Sequence, residues 1–274
     1  MGRPIAPPIR DQGARSPGDA VVRKLRQFIK TEETDGPALA RLCAHRRDVA
    51  AHSDIIEEGQ RATAFYIVHD GWTCSYRNLE NGQRQVTAFF LPGDICHLDF
   101  LVLDRMDHSL GAICSTVLSE VKEKAFRNFA SNHPHLERAF RWEAAVTAAI
   151  QREWTANLAQ RGAMERTAHL LCELFLRMDR VGLTEGNSCE IPLTQTDIAD
   201  ALGMTPIHVN RMLQQMRGQG LIALKNHILT IVELETLQKV GGFDAGYLHL
   251  EEVEHVVRSP HGNRVGNTRA TSRS

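Results

Sequence analysis

Long apolar runs are missing from this sequence. No stretch reaches the ~20 residues that cross a bilayer as a helix, and the N-terminus lacks the apolar core of a secretory signal peptide. A soluble cytoplasmic protein with no membrane partner is therefore expected. An excess of one charge is missing too. The formal net charge is −1 and the isoelectric point is near 6.9, so no global field draws the chain to nucleic acid and any DNA site must be a local patch. The six cysteines (Cys43, Cys74, Cys96, Cys114, Cys172 and Cys189) are scattered, with no Cys-x-x-Cys pair. That argues against a disulfide framework and against a tetrahedral zinc site. A Gly-rich phosphate loop, a nucleophile elbow and a paired-His metal motif are also absent, so the chain does not read as an enzyme and no metal or cofactor is expected.

What is present suits a packed core: 274 residues, 42% of them hydrophobic and 24% charged, enough for two domains. Residues 1–34 read as a largely disordered Pro/Gly/Arg-rich arm with a short helix around 21–30. From about residue 49 to 124 the texture is short β-like segments, at 54–56, 64–68, 72–77, 85–90, 111–116 and 118–122. Turn signals separate them at Glu58-Gly59, Asp70-Gly71, Asn81-Gly82 and Pro92-Gly93. Many short strands at regular spacing indicate a closed antiparallel sandwich or barrel. At 135–161 the period becomes helical. Trp142, Val146, Ile150 and Trp154 form an apolar stripe without a partner in its own segment, which predicts a dimer seam. A helix at 163–179 follows. Beyond residue 241 the sequence predicts an apolar segment, 242–250, packed on the body or on a partner subunit, and then a disordered basic tail.

The most informative stretch is 193–213. Thr194 or Thr196 can cap a first helix that carries Ile198, Ala199 and Leu202 inward. Gly203 sits at the reversal, where positive φ is needed. Thr205 suits an N-cap and Pro206 a first helical position. Val209, Met212 and Leu213 then face the first helix, leaving Ile207, His208, Asn210, Arg211, Gln214 and Gln215 outward. A small residue and a glycine pinning two short helices at a steep angle predict a helix-turn-helix. Its outward face carries groups that bond base edges and phosphates. Segments 221–224 and 228–232, flanking Lys225-Asn226-His227, read as a two-stranded wing, followed by a helix near 233–240.

The order of β domain, long helix and winged helix-turn-helix resembles the CRP/FNR family of bacterial transcription regulators. The resemblance covers roughly residues 49–240 and is most specific at 193–213. The segment 242–250 and the sensor loop are similar to those of an alphaproteobacterial-type branch. The implied fold is α+β: an N-terminal antiparallel β-roll (a cupin-like sensor domain, 35–134), a dimerisation helix (135–161) and a C-terminal winged helix-turn-helix (162–241). The implied function is a homodimer that senses a signal in the β-roll and moves two recognition helices on a palindromic promoter site, with RNA polymerase as a further partner. Arg211 then matches a guanine-reading arginine, a contact worth ~1–3 kcal/mol of discrimination. Asn210 falls where a branch of the family uses a base-contacting serine. Ile207 replaces a common glutamate and implies contact with a thymine methyl, while His208 faces a base or a phosphate. Gln195, Thr196 and Thr205 match phosphate-touching positions.

In the sensor, cyclic-nucleotide-binding relatives use a Gly-Glu pair and an Arg-Ser pair. Here the Gly-Glu pair is missing and His108-Ser109 stands in place of Arg-Ser. Histidine lacks the fork that grips two phosphate oxygens, and Arg105 substitutes only if the loop is reshaped. The expectation is a signal other than cAMP. Two alternatives stay open at this point. One is haem or redox sensing through Cys96 and His97; the other is a ligand-binding module that controls a partner protein.

Overall fold

The computed structural model describes residues 18–26, 32–98 and 102–250. The expectations for residues 1–17 and for the tail beyond 250 lie outside the described residues. Two short helices come first, α1 (Gly18–Arg26) and α2 (Asp35–Leu42).

Eight strands then build the β-roll: β1 (Arg46–Val49), β2 (Asp54–Ile56), β3 (Ala64–Asp70), β4 (Thr73–Asn78), β5 (Arg84–Phe90), β6 (Ile95–Cys96), β7 (Ser109–Ala112) and β8 (Thr116–Lys122). They pair antiparallel in two four-stranded sheets, ordered β1-β8-β3-β6 and β2-β7-β4-β5. Val49, Ile55, Tyr66, Val68, Phe90, Leu110 and Leu118 cluster between them, so the alternation of inward side chains closes a packed roll. The strand expected at 111–116 is shifted. β7 ends at Ala112, because Ile113 N–H leaves the ladder to donate to the Trp72 carbonyl and the chain bends before β8.

The helix α3 (Glu123–Asn132) was not anticipated. Its Phe126 and Phe129 interlock with Phe65 of β3 and with Phe140, at centroid distances of 5.1–5.9 Å, which fastens the roll to the long helix.

That long helix is α4 (Pro134–Gln160), 27 residues with proline in its first turn. It gives way at Arg161-Gly162 to α5 (Ala163–Arg180), where the Gly162 N–H is satisfied by the Glu165 carboxylate at 2.8 Å. β9 (Thr184–Glu185), β10 (Ser188–Glu190), α6 (Gln195–Leu202), α7 (Pro206–Gly218), β11 (Ile222–Lys225), β12 (Ile228–Ile231) and α8 (Leu234–Gly241) complete the second domain. Its sheet runs β11-β12-β10-β9, so the wing is larger than the expected two strands. Gly241 lets α8 cross α5 closely: a Cβ there would lie 2.7 Å from the His169 nitrogen. The segment 242–250 returns to the body through a short 3-10 helix, Ala245–Leu248, that packs on α4.

Three residues of the stripe read as a dimer seam are already covered within the single chain. Val146, Ile150 and Trp154 are only 6–7% exposed within the single chain. They face its own interior, because α4 is wrapped by α1, β6, α5 and the returning C-terminal segment. Trp142 is half-buried, with its ring 6.0 Å from His249. An apolar period reveals a buried face but not what covers it. The solvent face of α4 carries Arg138, Arg141, Ala144, Ala145, Gln151, Arg152, Thr155, Ala156 and Ala159 instead.

Candidate nucleic-acid interface

Local chemistry sets the two helices of the interface. The Thr194 hydroxyl accepts from the Asp197 N–H (3.1 Å), and the Asp197 carboxylate accepts from the Thr194 N–H (2.9 Å), a reciprocal cap for α6. Gly203 ends that helix at φ +60°, a conformation costly for any residue with a Cβ. Thr205 Oγ1 accepts from the His208 N–H at 3.2 Å, and Pro206 occupies the first turn of α7. Ile198, Ala199 and Leu202 are buried with Val209, Met212 and Leu213, so one side of each helix is locked in the core.

The other side faces solvent. Gln195, Thr196, Thr205, Asn210, Arg211 and Gln214 are exposed, His208 is half-exposed, and Ile207 is 84% exposed. None of the eight residues singled out for DNA contact is withdrawn into the core. An isoleucine this exposed is uncommon unless something covers it in use. The α7 sequence, Pro206 to Gly218, contains Arg211 and Arg217 and no acid. Arg211 forms no ion pair among the described residues, so the exposed side of α7 carries positive charge without an acid of its own helix to offset it. Beside it stands the wing turn, where Asn226 and His227 both have positive φ, the backbone of a tight hairpin. Lys225 and Asn226 are exposed there. The sequence announces this turn without assigning it a contact.

The second domain docks on the first through α6. Arg84 of β5 stacks over the Tyr76 ring at 4.4 Å, and its guanidinium lies 3.9 Å from Asp197. Gln85 Nε2 donates to the Ala201 carbonyl at 3.4 Å.

The residues singled out in the sensor loop are not all brought together. Ser109 is buried, and its hydroxyl already accepts from the Glu58 N–H at 3.0 Å. The Arg105 guanidinium is exposed and donates to the Gly59 carbonyl at 2.9 Å, so it does not take over a phosphate-gripping role beside Ser109. His97 and His108 do meet, with ring centroids 4.3 Å apart, and His108 Nδ1 pairs with Asp107 at 2.5 Å. His97 has φ +62°, and its Nε2 is buried with no hydrogen-bond partner among the described residues. Burial, with the nearby His108, pushes its pKa down to about 3, so the ring is neutral at ordinary pH.

Cys96 points elsewhere. It is fully buried, with Sγ 3.6 Å from Thr73 Oγ1, and burial pushes the thiol far above its usual range. The adjacent His97 turns toward His108, so the pair does not converge on one site and does not fit a haem iron. Redox sensing through Cys96 or the other buried thiols fares no better. Burial also raises Cys43 and Cys74 to about 11 and Cys172 and Cys189 to about 12, and a protonated buried thiol is unreactive.

Comparison with known proteins matches two families. The Crp-like helix-turn-helix domain matches residues 165–240, and the cyclic nucleotide-binding domain matches residues 46–133. The fumarate and nitrate reduction regulatory protein of Vibrio cholerae is 21% identical over 210 residues, 77% of this chain and 84% of that protein. FixK2 from Bradyrhizobium japonicum superposes with a TM-score of 0.64 at 27% identity, covering 71% of this chain and 96% of that one. The c-di-GMP-responsive regulator CLP of Xanthomonas campestris shares the fold, with a TM-score of 0.59 at 16% identity over 73% of this chain and all of that one. No helix among the described residues is long and apolar enough to cross a membrane. With a β-roll sensor, a long connecting helix and an exposed, acid-free recognition helix in one chain, this protein belongs to the CRP/FNR family of DNA-binding transcription regulators.

Proposed function

We propose that the chain acts in the cytoplasm as a homodimer that reads a palindromic promoter duplex with two copies of α7 and works there with RNA polymerase. The observation that carries this reading is the two-sided character of α7: one side locked by Val209, Met212 and Leu213, the other presenting Ile207 and Arg211 to solvent. Arg211 pairs with the O6 and N7 of a guanine. Asn210 and His208 bond neighbouring base edges or phosphate, and Ile207 lies against a thymine methyl. Gln195, Thr196, Thr205 and Gln214 hold backbone phosphates and fix the register. The two chains meet along the outward face of α4, where Ala144, Ala145, Ala156 and Ala159 allow close approach and Arg141 and Arg152 stand between them. The signal that sets the domain arrangement enters through the β-roll. cAMP does not supply it, because His108 offers no guanidinium fork and the Ser109 hydroxyl is engaged with the Glu58 N–H. The chain carries out no catalysis and needs no cofactor for DNA contact.

The test is a selection of duplexes from a randomised pool, followed by gel shifts at fixed salt. Wild-type protein is expected to recover a two-fold symmetric sequence. Arg211→Ala is expected to lose ~1–3 kcal/mol of binding for each half-site, through one guanine position in each, while non-specific binding persists. A variant that binds the selected site as wild type does would remove Arg211 from the reading, and a pool without enrichment would remove the reading itself.

A further inference from the structure

Helix α1 is only nine residues long, yet it touches the sensor, the long helix and the DNA-binding domain at once. Val21 and Leu25 are 1% exposed and seat the helix. Beside them Lys24 Nζ lies between two buried carboxylates, Asp94 in the β5–β6 turn and Glu143 on α4. Its neighbour Arg23 donates from Nε to the Val181 carbonyl, at the C-terminal end of α5. The approach is backbone-close. A Cβ on Gly93 would stand 2.9 Å from the Ala20 carbonyl oxygen, so the turn that carries Asp94 is shaped to receive α1.

Asp94 is held from the opposite side by the second domain. Arg177 of α5 donates to Asp94 Oδ2 at 2.6 Å and to the Phe89 carbonyl at 2.8 Å, and it also pairs with Glu173 at 3.1 Å. One sensor carboxylate therefore bridges α1 and the DNA-binding domain. Asp94, Glu143 and Glu173 meet Lys24 and Arg177 here, and Glu143 Oε2 is buried without a hydrogen-bond partner among the described residues. Removing Lys24 would leave Glu143 buried without its charged hydrogen bond, the circumstance in which a packed junction gives way to a hydrated, looser one.

We propose that Lys24 and Arg23 make α1 a positioning element for DNA binding: they pin α5 to the sensor, so that each chain of the dimer presents α7 at a fixed place and angle. This rests on the dimeric, palindrome-reading function above. A duplex with two half-sites demands a set distance between recognition helices, whereas one half-site demands only that α7 itself be intact. Freeing the domain lowers the fraction of dimers in the competent arrangement, and apparent two-site affinity falls by that fraction.

The experiment uses full-length wild type, Lys24→Met and Lys24→Arg, with three duplexes: the pool-selected two-half-site sequence, one half-site alone, and the two half-sites moved apart by about half a helical turn. Lys24→Met is expected to lose about tenfold in affinity for the two-half-site duplex, to stay within about twofold on the single half-site, and to discriminate less against the moved spacing. Lys24→Arg is expected to recover most of the loss. Amide exchange is expected to quicken in Lys24→Met both in α1 and at 177–181. An unchanged ratio of two-site to one-site affinity overturns the proposal, and so does a parallel fall in both affinities, which would mark a role in folding alone. Should the wild type select no duplex, the regulator reading falls, and exchange alone decides the clasp: unaltered protection at 177–181 in Lys24→Met refutes it.

Discussion

Acid is expected to weaken the sensor through His97, and the size of the effect follows from its surroundings. Burial and the facing His108 ring lower its folded-state pKa to about 3, against about 6.5 in an unfolded chain. The folded state therefore binds this proton less readily than the unfolded state. The stability that His97 contributes is complete above pH ~6.5 and drains away as the pH falls toward 3. At about pH 5 the unfolded histidine is almost fully charged while the folded one is almost fully neutral, a difference of about 2 kcal/mol. Other groups blur the wild-type curve. His169, lowered to about 4 chiefly by burial, moves the same way, while Glu143 and Glu173, raised chiefly by burial, move the opposite way. Substitution isolates the one group. Asparagine tolerates positive φ and does not titrate, so His97→Asn keeps the backbone and removes the proton site. Urea unfolding of both proteins at about pH 7.5 and about pH 5 is expected to show the stability gap between them moving by about 2 kcal/mol in favour of the variant at the lower pH. A gap that stays constant across that range would mean His97 is solvated or paired, and the account of a buried bare imidazole would be wrong.

Two further outcomes test the packing that presents α7. Tyr247→Phe removes a hydroxyl that donates to Glu173 at 2.8 Å and lies 3.1 Å from His169 Nε2. Glu173 keeps Trp154 and Arg177, so the expected loss is ~1–2 kcal/mol in urea unfolding, and no loss would place the C-terminal segment elsewhere. Thr194→Ala breaks the reciprocal cap of α6 and is expected to lower stability by ~1 kcal/mol, with faster amide exchange in the first turn of α6 and little change in the β-roll.

The helix-turn-helix was legible because its determinants are local. Thr194 and Asp197 are one turn apart, Gly203 fills a position that a side chain resists, and Thr205-Pro206 starts a helix by backbone preference alone. The β4–β5 hairpin was legible for the same reason, since Gly82 at φ +80° supplies the turn that Asn81-Gly82 announces. The face of α4 was not. The four-residue recurrence of Val146, Ile150 and Trp154 states that one side is buried, and a covering by α1, α5 and the C-terminal segment satisfies it as well as a second chain would. The sensor loop was half legible: His97 and His108 stood out by type, but only the roll brings their rings together, and the same roll sends Cys96 to the opposite side.

The junction around Asp94 was hidden for a deeper reason. Lys24 and Arg177 reach it from 70 and 83 residues away, and a buried ion pair has no period and no turn to mark it. Read along the chain, Asp94 is the polar end of a Pro-Gly turn and Glu143 a charge on an amphipathic helix, each fit for the surface. Burial converts them into a demand for cations, and only the folded chain shows that the cations come from an N-terminal helix and from the DNA-binding domain. On the function proposed above, what α7 reads is set by a short stretch of sequence and where it is held by charges spread across the chain, so substitutions at Lys24 or Arg177 are expected to alter the preferred half-site spacing before they alter the preferred bases.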